Sequence, residues 1–160
     1  MNPVKVTYSI NGDQVTISSL PNRSLLEVLR EDMGLTGVKD SCGGKGECGA
    51  CTVIMDGEAV NSCMVLIGQV HDHEVETIEG LARDGELHPL QKAFVEAGAV
   101  QCGYCTPGAI MSAKALLEMI PSPSNDEIRE ALSGNLCRCT GYTKMVEAVR
   151  RAAKEFNNAR

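Results

Sequence analysis

Eight cysteines in 160 residues are the side chains whose chemistry most needs explaining, and they fall into two groups of four. Cys42, Cys48, Cys51 and Cys63 form C-x5-C-x2-C, followed after eleven residues by the fourth. Cys102, Cys105, Cys137 and Cys139 form C-x2-C and, after thirty-one residues, C-x-C. Thiolates are soft donors that suit zinc, cuprous copper and iron–sulfur clusters. An even count also permits four disulfides, but such frameworks belong to secreted chains. The N-terminus, MNPVKVTYSI, lacks the apolar run of a secretory signal. Metal or cluster ligation is therefore the expectation.

The first group has the look of a [2Fe–2S] site. Plant-type ferredoxins use C-x4-C-x2-C and a distant cysteine; one extra residue gives the spacing of adrenodoxin-like ferredoxins. A cluster on four thiolates is anionic, so it wants backbone N–H donors around its sulfurs. Gly43, Gly44, Gly46 and Gly49 allow the positive-φ backbone that aims such donors inward. A structural Zn(Cys)4 site competes, but its usual signature is two short C-x2-C knuckles, and only one is present. Gly44-x-Gly46-x-x-Gly49 also matches the dinucleotide fingerprint. That motif needs a helix after it, whereas Thr-Val-Ile-Met after Cys51 reads as a strand. Nucleotide binding is not expected there.

In the second group Cys102 and Cys105 precede Thr106-Pro107, a helix start, so an anionic cluster would face the positive end of a helix dipole. Cys137 and Cys139 lie at another helix junction. Zinc remains open here from spacing alone. A C-x-x-C redox disulfide is disfavoured, because no thioredoxin-like βαβ pattern surrounds it.

The elements that must position these cysteines change character near Gly80. Val4, Val6, Tyr8 and Ile10 alternate as a half-buried strand, and Asn11-Gly12 turns it into Val15 and Ile17 through a type I′ hairpin. Ser24 and Glu27 form a capping box for a short helix carrying Leu25, Leu26, Leu29 and Met33, stopped by Gly34. The loop 40–51 leads to a strand at Thr52–Met55, a turn at Asp56-Gly57, a second strand, and a last one over Val75–Ile78. After it, helices are expected from Pro89 to Ala97, from Thr106 to Ile120, from the Ser124/Glu127 capping box to Gly134, and over a final stretch with Val146, Val149, Ala153 and Phe156 at helical spacing. The fold class is α+β, with domains at 1–80 and 81–160. The first half carries five basic and twelve acidic side chains, the second ten and nine. Domains of this size usually need a staple beyond their own cores.

Composition excludes other classes. A net charge of −6 argues against nucleic acid. No stretch reaches the ~18 apolar residues of a membrane span. A soluble cytoplasmic protein is expected. His71 and His73 read as a solvated turn, Tyr104 and Tyr142 as packing beside a cluster or interface, and Met111 and Met119 as core. Arg138 reads equally as an electrostatic tuner or a helix cap.

Cys48-Gly-Ala-Cys51-Thr-Val, Gln101-Cys-Gly-Tyr-Cys-Thr-Pro-Gly108 and Gly134-Asn-Leu-Cys-Arg-Cys-Thr-Gly-Tyr142 together resemble the iron–sulfur subunit of the molybdenum hydroxylases, the xanthine oxidase family. The resemblance spans essentially the whole chain; the extra residue between Cys42 and Cys48 departs from most members. It implies an N-terminal β-grasp [2Fe–2S] domain and a C-terminal four-helix bundle with its own [2Fe–2S] cluster, which removes zinc from the second site. It further implies a large subunit carrying molybdopterin, a medium subunit carrying FAD, and a dimer of heterotrimers. The bundle cluster would lie beside the molybdopterin, with Gln101 and Cys139 in contact with it, and the β-grasp cluster nearer the flavin. The chain itself would have no turnover. A free-standing two-cluster carrier or redox sensor is the alternative. The substrate of such a complex stays open among purines, N-heterocycles, aldehydes, carbon monoxide and aromatic acyl-CoA thioesters.

Overall fold

The computed structural model describes residues 2–158. Alternation dictates the first hairpin: β1 (Val4–Ile10) and β2 (Asp13–Ser19) pair antiparallel with Tyr8 opposite Val15. Asn11 and Gly12 both take positive φ, +53° and +92°, as a type I′ turn requires. A second hairpin, β3 (Thr52–Met55) and β4 (Glu58–Asn61), turns through Asp56 and Gly57 in the same manner. β5 (Glu74–Glu76) pairs parallel with β1 and antiparallel with β3, giving the order β2-β1-β5-β3-β4. This is the β-grasp arrangement.

The first helix departs from the expected regular form. The Ser24/Glu27 capping box opens α1 (Leu25–Glu27), which then widens into a π-helical turn over Val28–Asp32. The wider turn keeps Leu25, Leu26, Val28 and Leu29 all buried on the sheet. Gly34 ends it at φ +70°. β5 is also displaced from Val75–Ile78: Asn11 Oδ1 accepts the Thr77 amide at 2.8 Å, ending the strand, and Ile78–Gly80 forms a 3-10 turn.

The four helices expected after Gly80 follow. They are α2 (Pro89–Glu96), α3 (Thr106–Met119), α4 (Asn125–Leu132) and α5 (Thr143–Asn158). α4 starts on the Ser124/Glu127 capping box but stops at Leu132, two residues before Gly134, which does not adopt positive φ. Met111 is fully buried, whereas Met119 is 73% exposed. Met119 is thus surface rather than core. Val149 and Ala153 are buried and Val146 packs at the edge of that core; the side chain of Phe156 lies outside the described residues.

Two hydrophobic cores result, and they share a strand. Val53 of β3 packs with Tyr8, Leu29 and Val75 on one face of the sheet. Ile54, pointing the opposite way, packs with Phe94, Met111, Leu117 and Met145 of the helices. Period-two alternation therefore ties the helical half to the back of the sheet. Lys114 of α3 adds a polar tie, 2.7 Å from Glu76 of β5 and 2.6 Å from Glu118.

Candidate metal centres

All eight cysteines are free thiols, gathered at the two places where the sequence groups them. The first centre is wrapped by the loop 40–51. Gly43, Gly44, Gly46 and Gly49 all have positive φ, between +66° and +76°. That backbone turns amides toward sulfur: the N–H groups of Glu47, Lys45 and Cys48 approach Cys42, and that of Gly46 approaches Cys63. The Asp40 side chain pins the loop by accepting the Gly43 and Gly44 amides at 2.9 and 3.3 Å. Cys42 is held down to about 7, first by the Glu47 amide. Cys63 is pushed up to about 12, by burial first and then by Cys51.

The second centre sits where α3 begins. Cys105 is the residue before the first turn of α3, and the loop between α4 and α5 brings Cys137 and Cys139 across. Burial and the neighbouring Cys137 push Cys105 up to about 12. Burial is the largest influence on Cys137 and raises it, but the Thr140 hydroxyl, 3.1 Å from its sulfur, and the Thr140 amide, donating at 3.4 Å, together with Cys105 and the Cys139 amide, outweigh it and lower the thiol. Cys139 lies 3.6 Å from Cys102 sulfur to sulfur, well beyond a disulfide bond, and is raised by that neighbour. The Tyr142 hydroxyl accepts the Cys137 amide at 2.9 Å. An open depression of about 440 Å3 runs over Cys102, Cys105, Cys137 and Cys139 to Cys48, edged by Tyr104, Leu136 and Arg138.

Within each centre the thiols act on one another: Cys48 on Cys42, Cys51 and Cys42 on Cys63, Cys137 and Cys102 on Cys105, and Cys102 and Cys137 on Cys139. Four thiolates with backbone amides turned toward them fit the donor set of a [2Fe–2S] cluster, which would be held at the first place by Cys42, Cys48, Cys51 and Cys63 and at the second by Cys102, Cys105, Cys137 and Cys139.

The other candidates are resolved by their neighbours. His71 Nδ1 accepts the Thr7 amide at 3.1 Å, and His73 is hydrogen-bonded to Asp56, so the first is tied to β1 and the second to the β3–β4 turn. The Gly44–Gly49 motif leads into β3 rather than a helix. Gln101 and Arg138 are exposed beside the second centre. The Tyr104 hydroxyl donates to the Asp40 carbonyl, joining the second cysteine motif to the first loop. Sequence reasoning missed Asn135, a buried carboxamide between the centres. Its Nδ2 donates to the Gly49 carbonyl oxygen at 2.9 Å and to Thr52 Oγ1 at 3.2 Å.

Comparison with known proteins agrees with this architecture. Residues 8–85 match the model for a 2Fe-2S iron-sulfur cluster binding domain, and residues 77–150 that for a [2Fe-2S] binding domain. The chain is 52% identical to the nicotinate dehydrogenase small FeS subunit of Eubacterium barkeri, over 99% of this chain and all of that one. It is 48% identical to the nicotine 6-hydroxylase small subunit of Paenarthrobacter nicotinovorans, over 97% and 93% of the two chains. The crystal structure of quinoline 2-oxidoreductase from Pseudomonas putida 86 superposes with a TM-score of 0.94 at 39% identity, covering 99% of this chain and 98% of that one. The chain belongs to the small iron–sulfur subunits of the molybdenum hydroxylases. It is an electron-transfer subunit with two [2Fe–2S] domains, which sets aside the free-standing carrier.

Proposed function

We propose that Cys42, Cys48, Cys51 and Cys63 hold one [2Fe–2S] cluster and Cys102, Cys105, Cys137 and Cys139 the other, within units 1–80 and 81–160. The single observation that carries this is the gathering of four thiols at each of two places, the first ringed by inward-turned backbone amides on positive-φ glycines and the second set at the start of α3. When bound, each cluster takes up and releases one electron at a time. The chain's part is electrostatic: amides of Lys45, Gly46, Glu47 and Cys48 at the first centre, and the Thr140 hydroxyl and amide at the second, stabilise negative charge on sulfur.

The second centre faces the molybdopterin-bearing large subunit. Cys102 and Cys139 are exposed there, flanked by exposed Gln101, Tyr104 and Leu136. The first faces an FAD-bearing medium subunit, across exposed Met64 beside Cys63. The assembly is a dimer of heterotrimers in the cytoplasm, and among the described residues no helix is long and apolar enough to cross a membrane. Relatives named for nicotinate and nicotine favour an N-heteroaromatic substrate for the whole complex. Purification of the tagged chain from its native host tests this: molybdenum- and flavin-bearing partners should accompany it, and nicotinate should reduce both clusters. Two intact clusters on a chain that never associates with a molybdenum subunit would contradict the assignment.

A further inference from the structure

Between the two cysteine centres, glycine backbone lies directly on backbone. Gly49, in the first loop, has φ +66°, and a Cβ placed on it would lie 2.2 Å from the Gly134 carbonyl oxygen. A Cβ on Gly108 of α3 would lie 2.2 Å from the Gly49 carbonyl oxygen. With no side chain between them, the Leu136 amide donates to the Cys48 carbonyl at 2.9 Å. Cys48 belongs to the first centre, and Leu136 is bonded to Cys137 of the second. One hydrogen bond therefore closes a backbone bridge between a cysteine of each group.

One buried side chain holds that bridge in register. Asn135 is only 4% exposed, and its Nδ2 donates to the Gly49 carbonyl at 2.9 Å and to Thr52 Oγ1 at 3.2 Å. The Thr52 hydroxyl donates to the same Gly49 carbonyl at 2.7 Å. A buried carboxamide costs stability unless it is bonded, and the donor of this one is directed at the other loop, 86 residues away in sequence. We infer that Asn135 is a positioning residue for electron exchange between the two centres, pinning Cys48–Gly49 against Leu136–Cys137 so that the Leu136 N–H to Cys48 C=O bond stays closed. The inference rests on the ligand sets proposed above. The step itself is one electron lost at one centre and gained at the other, with no proton moved and no bond made or broken. Electronic coupling falls faster across a van der Waals gap than along bonds, so loosening this contact slows the exchange.

The test uses the full chain with both clusters loaded. Iron and sulfide content and two separate paramagnetic signals in the unaltered protein establish the ligand sets first; their absence sinks that assignment and is distinct from a failure of the exchange step. One electron per chain is then injected by flash photoreduction, and freeze-quenched spectra time its redistribution. Asn135→Asp keeps the shape but removes the donor. Exchange should slow ~10-fold or more, as losses around a metal ligand commonly do, and deuterium uptake at the Leu136 amide should quicken. Thr52→Val should shift both readouts the same way by less. Lys114→Met, which cuts the tie on the far side of the sheet, should lower the melting temperature and leave exchange unchanged. A loaded Asn135→Asp that exchanges at the unaltered rate with Leu136 still protected overturns the inference, as does equal slowing in Lys114→Met. If Asn135→Asp does not load, unchanged rate and protection in Thr52→Val overturn it.

Discussion

Replacing Cys63 by Ala should remove one cluster and spare the other, and Cys137→Ala should do the reverse, because each thiol couples only within its own group. Two-signal spectroscopy with iron counting checks this; loss of both signals from either variant, with the other half shown to be folded, would contradict the partition. Since ligation is also folding energy, each variant should destabilise its own half. Gln101→Ala loses no thiol, so both clusters should survive. If its amide reaches the partner's active centre, reduction of the assembled complex by substrate should fall ~10–100-fold while dithionite reduction stays normal. Stopped-flow comparison of the two reductants decides it, and an unchanged substrate-driven rate removes Gln101 from the site. The gathering of the thiols at two places was legible because the spacing within each motif is local and glycine marks the loop that wraps the first four. Asn135 was not, since its partners Gly49 and Thr52 lie 86 and 83 residues away, a pairing that only the packed fold creates.

Turns and caps read well at the level of elements: both capping boxes, the Asn11-Gly12 turn and the Asp56-Gly57 turn stand where the residues put them. Their signals are local and strong. The π-helical turn after Glu27 and the early end of β5 depend on packing and on the distant Asn11 side chain, and neither leaves a local mark in the residues. α2 carries a cap of another kind, with His88 Nδ1 accepting the Leu90 amide at 3.2 Å. Burial first, then Lys114, lowers His88 below its ordinary 6.5, against the opposite pull of Glu76 and Glu118, with Arg83 adding to the lowering. The folded chain thus prefers neutral His88, and the unfolded chain binds more protons just below that value. Stability from this residue is complete above the unfolded value and is lost as pH falls below it toward the lowered folded value. Thermal melts should show a drop as pH falls below the ordinary 6.5 that His88→Asn, a capping residue without a titrating ring, diminishes. An identical drop in that variant would assign the pH dependence elsewhere.

At the scale of the whole molecule, the chain joins its halves by sharing β3 and by laying glycine backbone on glycine backbone between the centres. Small halves of this kind have little core of their own, and the shared strand and the bound clusters make up the difference. The passage from strands to helices after β5 was visible in the periodicity, but the sharing of β3 was not, because Val53 and Ile54 look alike in sequence and differ only in the face they present. The most direct test of two [2Fe–2S] clusters on eight thiols is the metal content and spectrum of the isolated chain kept anaerobic. It should be red-brown, contain about four iron and about four acid-labile sulfides, and on reduction give two distinguishable one-electron paramagnetic signals. Stoichiometric zinc, with no visible absorption and no paramagnetic signal, would contradict it.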